Sequence, residues 1–406
     1  MSRRGFHPQL QEWFWGDLSF QRGTIEDLLL SKGILVNSEV DENLKLKTLI
    51  SGILAPSDLK LILSITERCN FLCKYCYESH NKLDISEDIK HKIIDYVRYN
   101  IHRFTSLNIT WFGGEPLLGL DNIREMSQEL MKICTFNHRN YTASMTTNGY
   151  LLNIDTFKEL LKYRVWAYQI TLDGLRDNHD MQRPTVTGGP TFDRVVDNLW
   201  AIKKLKSRNF HIVIRSNLTK DIFNHMDEYV EFLCDLCGDD NRFSLSICYA
   251  SNWSENIDTD FKDSFIEDRK TVFPLYEKFL KCKKKINFAF LLNPEDGACE
   301  LGRSNRFFIR PNGELHKCSI HFENSQNIVG RLNNHQIELK DIYYQKIINP
   351  AKCENLESCF YAPICKGEGC PAIRTASSSI CPDTKYHLDY VLRLLDKAGQ
   401  TTCIDA

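Results

Sequence analysis

Three thiols within eight residues constrain this chain more than any other feature. They lie in Cys69-Asn70-Phe71-Leu72-Cys73-Lys74-Tyr75-Cys76, with three residues and then two between them. A 4Fe–4S cluster takes one thiolate for each iron it anchors. Three ligands therefore leave one iron free to bind a small molecule. The stretch directly follows Leu61-Ile62-Leu63-Ser64-Ile65, an apolar, β-branched run that reads as a buried strand. The thiols are thus expected in a loop at the C-terminal end of a strand, where (β/α) barrels carry their chemistry. The competing reading is zinc. Cys73-x2-Cys76 alone suits a zinc knuckle, and His80 is near, but no second Cys-x2-Cys or His pair follows at ribbon spacing.

Cysteine usage gives weight to metal. The chain of 406 residues has 16 cysteines and no apolar run approaching the ~20 residues of a membrane span. The N-terminus carries Arg3 and Arg4 with no apolar segment behind them, so no signal peptide is expected and the protein reads as cytoplasmic. Disulfides are rare in that compartment, and clustered thiols there point to metal. Cys134, Cys234, Cys237, Cys248, Cys282 and Cys403 are scattered and read as small core residues. The formal net charge of -2 gives no support for a nucleic-acid partner.

From residue 59 to about 285, strand and helix patterns alternate. Strands are expected at 61–66, 107–112, 141–147, 165–172, 211–217 and 243–249, with amphipathic helices such as Ile85–Ile101, Asn122–Cys134 and Phe192–Leu205 between them. Thr191 is the expected N-cap of the last. Alternation of this kind implies a parallel sheet with right-handed crossovers. Six units are too few to close an eight-stranded barrel. The expected fold class is therefore α/β, an open, partial (β/α)6 barrel of TIM type. Residues 1–58 form a lead-in with a short strand at Ile34-Leu35-Val36. Residues 286–406 have short segments, turn residues and seven thiols, a composition that metal can hold together.

Unusual residues fall at the expected strand ends. Gly113-Gly114-Glu115-Pro116 follows the second strand, Thr146-Thr147-Asn148-Gly149 the third, Thr171-Leu172-Asp173-Gly174 the fourth, with His179 and Arg183 beyond, and Arg215-Ser216-Asn217 the fifth. Paired glycines admit close backbone approach. A guanidinium such as that of Arg183 forks onto a carboxylate. Each of these stretches alone also reads as an ordinary turn or surface group.

Taken together, C-x3-C-x2-C with an aromatic before its last Cys, GGE and these strand-end residues resemble the radical S-adenosylmethionine (radical SAM) superfamily. The resemblance covers about residues 59 to 390. It implies that Cys69, Cys73 and Cys76 ligate a catalytic 4Fe–4S cluster. It also implies that Gly113, Gly114 and Glu115 hold the amino group of SAM, and that Thr147 and Asn148 meet its ribose. Arg183 becomes the candidate for the carboxylate of SAM, while Arg215 and Asn217 contact ribose or carboxylate. Tyr75 packs near adenine, and Thr171 stands where the family often has Ser.

The tail runs Cys299, Gly313, Cys318, then Cys353-x5-Cys359-x5-Cys365-x4-Cys370-x10-Cys381. This order resembles the SPASM extension, which holds two auxiliary 4Fe–4S clusters. Two gaps are longer than the family's usual C-x2-C-x5-C-x3-C. The resemblance implies Cys353, Cys359, Cys365 and Cys381 on an outer cluster, and Cys299, Cys318 and Cys370 on an inner one, for three clusters in all. Zinc, completed by His316 or His321, is the alternative for this tail.

SPASM-bearing relatives mostly modify peptides and proteins. The implied function is a radical SAM oxidoreductase that matures a ribosomally made precursor peptide by abstracting hydrogen through a 5′-deoxyadenosyl radical. A thioether or carbon–carbon crosslink is then formed. Its partners would be that peptide and an electron donor such as flavodoxin or ferredoxin, and residues 1–58 are the candidate recognition segment. A second reading is an anaerobic sulfatase-maturing enzyme that makes formylglycine. That family tends to place Asp directly after the Cys matching Cys318, where this chain has Ser319. A third is a non-catalytic, zinc-stabilised peptide-binding protein.

Overall fold

The structure is a computed structural model and describes residues 57–79, 83–238, 240–250, 259–266, 277–278, 303–321, 323–348, 359, 361 and 388–397. The short strand expected at 34–36, and Cys299, Cys353, Cys365, Cys370 and Cys381, lie outside them.

Six parallel strands follow the expected alternation: β1 (Leu59–Thr66), β2 (Ser106–Gly113), β3 (Asn140–Thr147), β4 (Val165–Thr171), β5 (His211–Leu218) and β6 (Phe243–Tyr249). They pair in chain order. Between them run α1 (Glu87–Asn100), α2 (Leu120–Phe136), α3 (Ile154–Lys162), α4 (Arg176–Gln182), α5 (Phe192–Lys203) and α6 (Met226–Cys237). This is the open α/β barrel that the alternation predicts. The strand faces differ sharply. Leu61, Leu63, Ile109, Trp111, Met145, Tyr168, Ile170, Ile212 and Ile214 are almost fully buried. Alternate residues, such as Lys60, Asn108, Thr110, Thr142, Ser144 and His211, remain partly accessible on the other face. Period-two side-chain alternation separates a core face from a polar one.

Local chemistry sets the helix ends. Ser86 caps α1 by accepting from the Ile89 N–H at 3.3 Å, with Glu87 and Asp88 in the first turn. Lys90, inside that turn, is buried and held by Glu87 at 2.6 Å and Glu125 at 2.5 Å. Thr191 stands at the N-cap of α5 as expected. Thr191 makes no side-chain cap. Asp180 of α4 reaches across instead, and its Oδ1 accepts from the N–H groups of Thr191 at 2.7 Å and Phe192 at 2.8 Å. The Thr191 hydroxyl donates to the Arg183 carbonyl at 2.8 Å. A carboxylate is an equally good cap and adds a favourable charge at the helix N-terminus.

Four further strands extend the sheet past residue 285. β7 (Arg306–Ile309) pairs parallel to β1, and β8 (Glu314–His316), β9 (Ile328–Asn333) and β10 (Gln336–Leu339) continue antiparallel. The ten strands run β10-β9-β8-β7-β1-β2-β3-β4-β5-β6. Residues 57–268 and 305–343 thus form one compact unit. Arg306-Phe307-Phe308-Ile309 is itself a short β-type run, and it covers what would otherwise be the exposed edge of β1. The remainder of the chain forms a second unit. Its described part includes α7 (Leu388–Lys397), with Leu388, Val391, Leu392 and Leu394 buried. Among the described residues, no helix is long and apolar enough to cross a membrane.

Candidate active site

The loop after β1 carries the three thiols. It is pinned on two sides. On one, the Leu72 N–H donates to Pro184 O at 2.8 Å, Lys74 N–H to Gln182 O at 3.0 Å and Val186 N–H to Asn70 O at 3.0 Å. That pairing brings the segment after α4, with Arg183, against the thiols. On the other, the Gly114 N–H donates to Thr66 O and the Glu115 N–H to Arg68 O, each at 2.9 Å. The glycines are needed there. Gly113 has φ +137°, and a Cβ on Gly114 would lie 2.3 Å from the Arg68 carbonyl oxygen. The paired glycines thus seat the thiol loop itself.

One cavity of about 390 Å³ opens at the C-terminal ends of the strands. Cys69, Cys73, Cys76, Tyr75, Gly113, Gly114, Thr147, Asn148, Thr171, Arg183, Arg215 and Asn217 all line it. Of the site residues expected in the barrel, only Glu115 is absent from its wall. The Glu115 carboxylate is fully buried and accepts from the Leu117 N–H at 3.0 Å, the Thr147 hydroxyl at 2.7 Å and the Asn148 N–H at 2.8 Å. It ties the loop after β2 to the loop after β3. Burial pushes its pKa up while these donors pull it down, and the net direction is upward. Asn198 of α5 holds the second loop by donating to Gly149 O at 2.8 Å.

A polar hub stands opposite the thiols. The Tyr75 hydroxyl donates to Asp173 and accepts from Arg183. Asn217 donates from its backbone N–H to Asp173 Oδ1 at 2.7 Å and from its side chain to the Tyr75 hydroxyl at 3.2 Å. Arg183 Nη1 lies 3.6 Å from Asp173 Oδ2. Asp173 has no exposure, and burial raises its carboxyl pKa against the pull of Arg183. Tyr75 lines the cavity, and its hydroxyl also organises the hub. Asp173 belongs to a strand-end stretch that the sequence singles out, but the sequence assigns it no role of its own. Asn70 was missed, and it accepts from the Asn148 amide at 2.8 Å. Residues from beyond β7 also reach the cavity, Ser319 and Ile320 lining it beside Tyr77 and Glu78. Cys318 and Cys359 are the tail thiols within the described residues, and both are free and partly accessible.

These residues suit the cofactors that the sequence implies. The thiols of Cys69, Cys73 and Cys76 are free. Burial pushes all three up, Cys69 to about 12. A thiol in that state is inert near neutral pH, and a coordinating thiol is deprotonated outright. Among the described residues, no three His, Cys, Asp or Glu side chains converge to hold a single metal ion. Three thiols on one cavity suit a cluster that presents a separate iron to each. Arg183 Nε is buried and has no acceptor among the described residues, on the wall of a cavity within the ~300–1,000 Å³ range of small-ligand sites. A ligand carboxylate would satisfy it.

Residues 63–247 match the Radical SAM superfamily. An uncharacterised protein of Methanocaldococcus jannaschii is 27% identical over 267 residues, 64% of this chain and 84% of that protein. The cysteine-type anaerobic sulfatase-maturating enzyme of Clostridium novyi is 25% identical over 341 residues, 76% of this chain and 87% of that enzyme. The solved structure of native anSMEcpe with bound AdoMet and Cp18Cys peptide superposes with a TM-score of 0.63 at 19% identity, covering 85% of this chain and 100% of that one. At that identity the superposition speaks to the fold alone. The sequence match and the open α/β barrel agree, and they identify residues 63–247 as a radical SAM domain.

Proposed function

We propose that this protein is a radical SAM peptide maturase that crosslinks a precursor peptide through a thioether or carbon–carbon bond. The observation that carries the reading is the convergence of Cys69, Cys73 and Cys76 with Arg183 and the paired glycines on one cavity. When bound, a reduced 4Fe–4S cluster with SAM supplies a 5′-deoxyadenosyl radical and methionine. Arg183 would take the carboxylate of SAM, with Tyr75 and Asp173 fixing the guanidinium. Asn148, Thr171, Arg215 and Asn217 would hold the nucleoside end. Glu115 keeps the two loops at the spacing that this ligand requires. The cavity walls exclude water from the radical. Cys318 and Cys359, with the tail thiols outside the described residues, would hold two auxiliary clusters, and a ferredoxin or flavodoxin would deliver electrons in the cytoplasm.

Sulfatase maturation is the second reading, favoured by the likeness to the C. novyi enzyme. Against it stands Ser319, which lines the cavity where that family tends to carry Asp. A serine hydroxyl is a poor general base without a neighbour to activate it.

Anaerobic reconstitution, reduction and assay for 5′-deoxyadenosine test the chemistry. Wild type should cleave SAM and the Cys69/Cys73/Cys76→Ala variant should not. Cleavage retained by the triple variant would sink the radical SAM assignment. Incubation with candidate precursor peptides should then give a product lighter by two hydrogens and unreactive to hydrazide. A hydrazide-reactive aldehyde would favour formylglycine formation instead.

A further inference from the structure

A second cavity, of about 760 Å³, opens at the opposite, N-terminal end of the same barrel. Strands β1 to β5 and β7 all contribute to it. Lys60 and Thr110 line this cavity and the thiol-lined one alike. The inner strand face is partly accessible at both. A closed TIM barrel fills its interior with bulky branched side chains. Here Asn108, Thr110, Thr142 and Ser144 occupy those positions. They bond one another across the strands, Thr142 to Asn108 at 2.5 Å and Thr110 to Ser144 at 2.9 Å, and make the inner face polar.

The far mouth has a distinct charge. Lys60, Arg208 and Arg306 line it with, among the described residues, Asp58 as the one carboxylate, and Asp58 is engaged by Asn108 at 2.8 Å and lies 3.7 Å from Arg306. His211 also lines it, and burial lowers its pKa, so near pH 7 it adds a polar group rather than a charge. Trp166 is 37% exposed at the rim, with the Arg164 guanidinium 5.9 Å from its ring centroid.

We infer that this cationic mouth binds a carboxylate-bearing segment of the peptide substrate. A phosphate site would differ. It gathers backbone N–H groups at a helix N-terminus, whereas this lining comes from strands whose N–H groups are committed to the sheet. Asn108, Thr142 and Asn209 suit the amides of an extended chain, the indole of Trp166 offers an apolar face, and Arg208 and Lys60 supply charge. The inference rests on the peptide-modifying reading only for the statement that the bound segment is substrate.

The test uses the full, anaerobically reconstituted protein and three fluorescein-labelled hexapeptides: all-Glu, all-Gln and all-Lys. Anisotropy should show the Glu peptide binding at least tenfold tighter than the other two, and weakening as salt rises. Arg208→Glu lies on an exposed loop and should cost about threefold or more, as reversal of an exposed pair does. Adding Lys60→Gln should deepen the loss, and Lys158→Glu, on the exposed face of α3, should change nothing. Equal binding of the Gln peptide, or an unaffected Arg208→Glu variant, overturns the inference. So does displacement of the Glu peptide by inorganic triphosphate at the lower concentration, which would mark a nucleotide site. SAM cleavage by the wild type is read separately. Cleavage without anionic-peptide binding removes this inference alone, and absence of cleavage removes the proposed function alone.

Discussion

Gly114 carries a steric demand that a ligand-centred reading would miss. Its missing Cβ makes room for the Arg68 carbonyl, one residue before Cys69. Gly114→Ala should therefore displace the thiol loop, costing about 1–3 kcal/mol as overpacking does. Iron and sulfide analysis checks it: the variant should reconstitute less cluster than wild type, and full loading would refute the role. Glu115→Gln puts an amide NH2 among three donors, so a fall in stability of about 1–3 kcal/mol is expected, read as a lower chemical-denaturation midpoint. Arg183 makes a different prediction. Lysine keeps the charge but loses Nε and the fork geometry. Arg183→Lys should weaken SAM binding about tenfold, a loss within the range for a hydrogen bond to a charged group. Equilibrium dialysis measures this directly, and an unchanged dissociation constant would rule the contact out.

At the scale of elements, α4 matters beyond its seven residues. It supplies Asp180 to cap α5, and His179, whose Nδ1 accepts from the Asp173 N–H at 3.2 Å. Removing the cap with Asp180→Ala should cost about 1 kcal/mol, seen as a lower thermal midpoint. His179 is fully buried, and burial, followed by the charge of Arg183, holds its pKa well below 6.5. The folded state therefore keeps it neutral while the unfolded chain protonates it. Its contribution is present above pH 6.5 and is lost as pH falls below that, by about 1.4 kcal/mol per pH unit for one group. His179→Gln should flatten the stability profile between pH 6.5 and 5. An unaltered slope would show that other groups set it.

At the scale of the whole molecule, the open sheet has a long edge to protect. β1 carries the thiol loop at its end, and β7 covers its flank through four paired residues, Lys60 to Leu63 with Arg306 to Ile309. A chain ending at residue 304 would expose that edge. Unpaired strand edges recruit other chains. The truncated protein should aggregate and lose its cooperative unfolding transition, as light scattering and calorimetry would report. A monomeric, cooperatively folding fragment would show that β7 is dispensable.

Much of the barrel was legible because its signals are local. The six strands of the parallel set are short runs of apolar and β-branched residues, and the site residues sit at their ends, where the chain must turn. The thiol spacing and the glycine pair are likewise readable within a few residues. Other features depend on residues brought together over long sequence distances. Arg306-Phe307-Phe308-Ile309 is too short to announce a strand, and only pairing with β1 makes it one. Asp180 competes with Thr191 for the same helix end, and the fold settles it in favour of the longer reach. The sequence marks Glu115 as a ligand contact and Asp173 only as part of a strand-end stretch, and neither reading shows the depth of its burial. Tertiary packing buries both and turns them inward, because each finds donors on neighbouring loops that compensate for its lost water. The sequence by itself determined the α/β barrel and the place of its chemistry; the tertiary structure decided which polar groups face the cavity and which hold its walls, since that depends on partners distant in the chain.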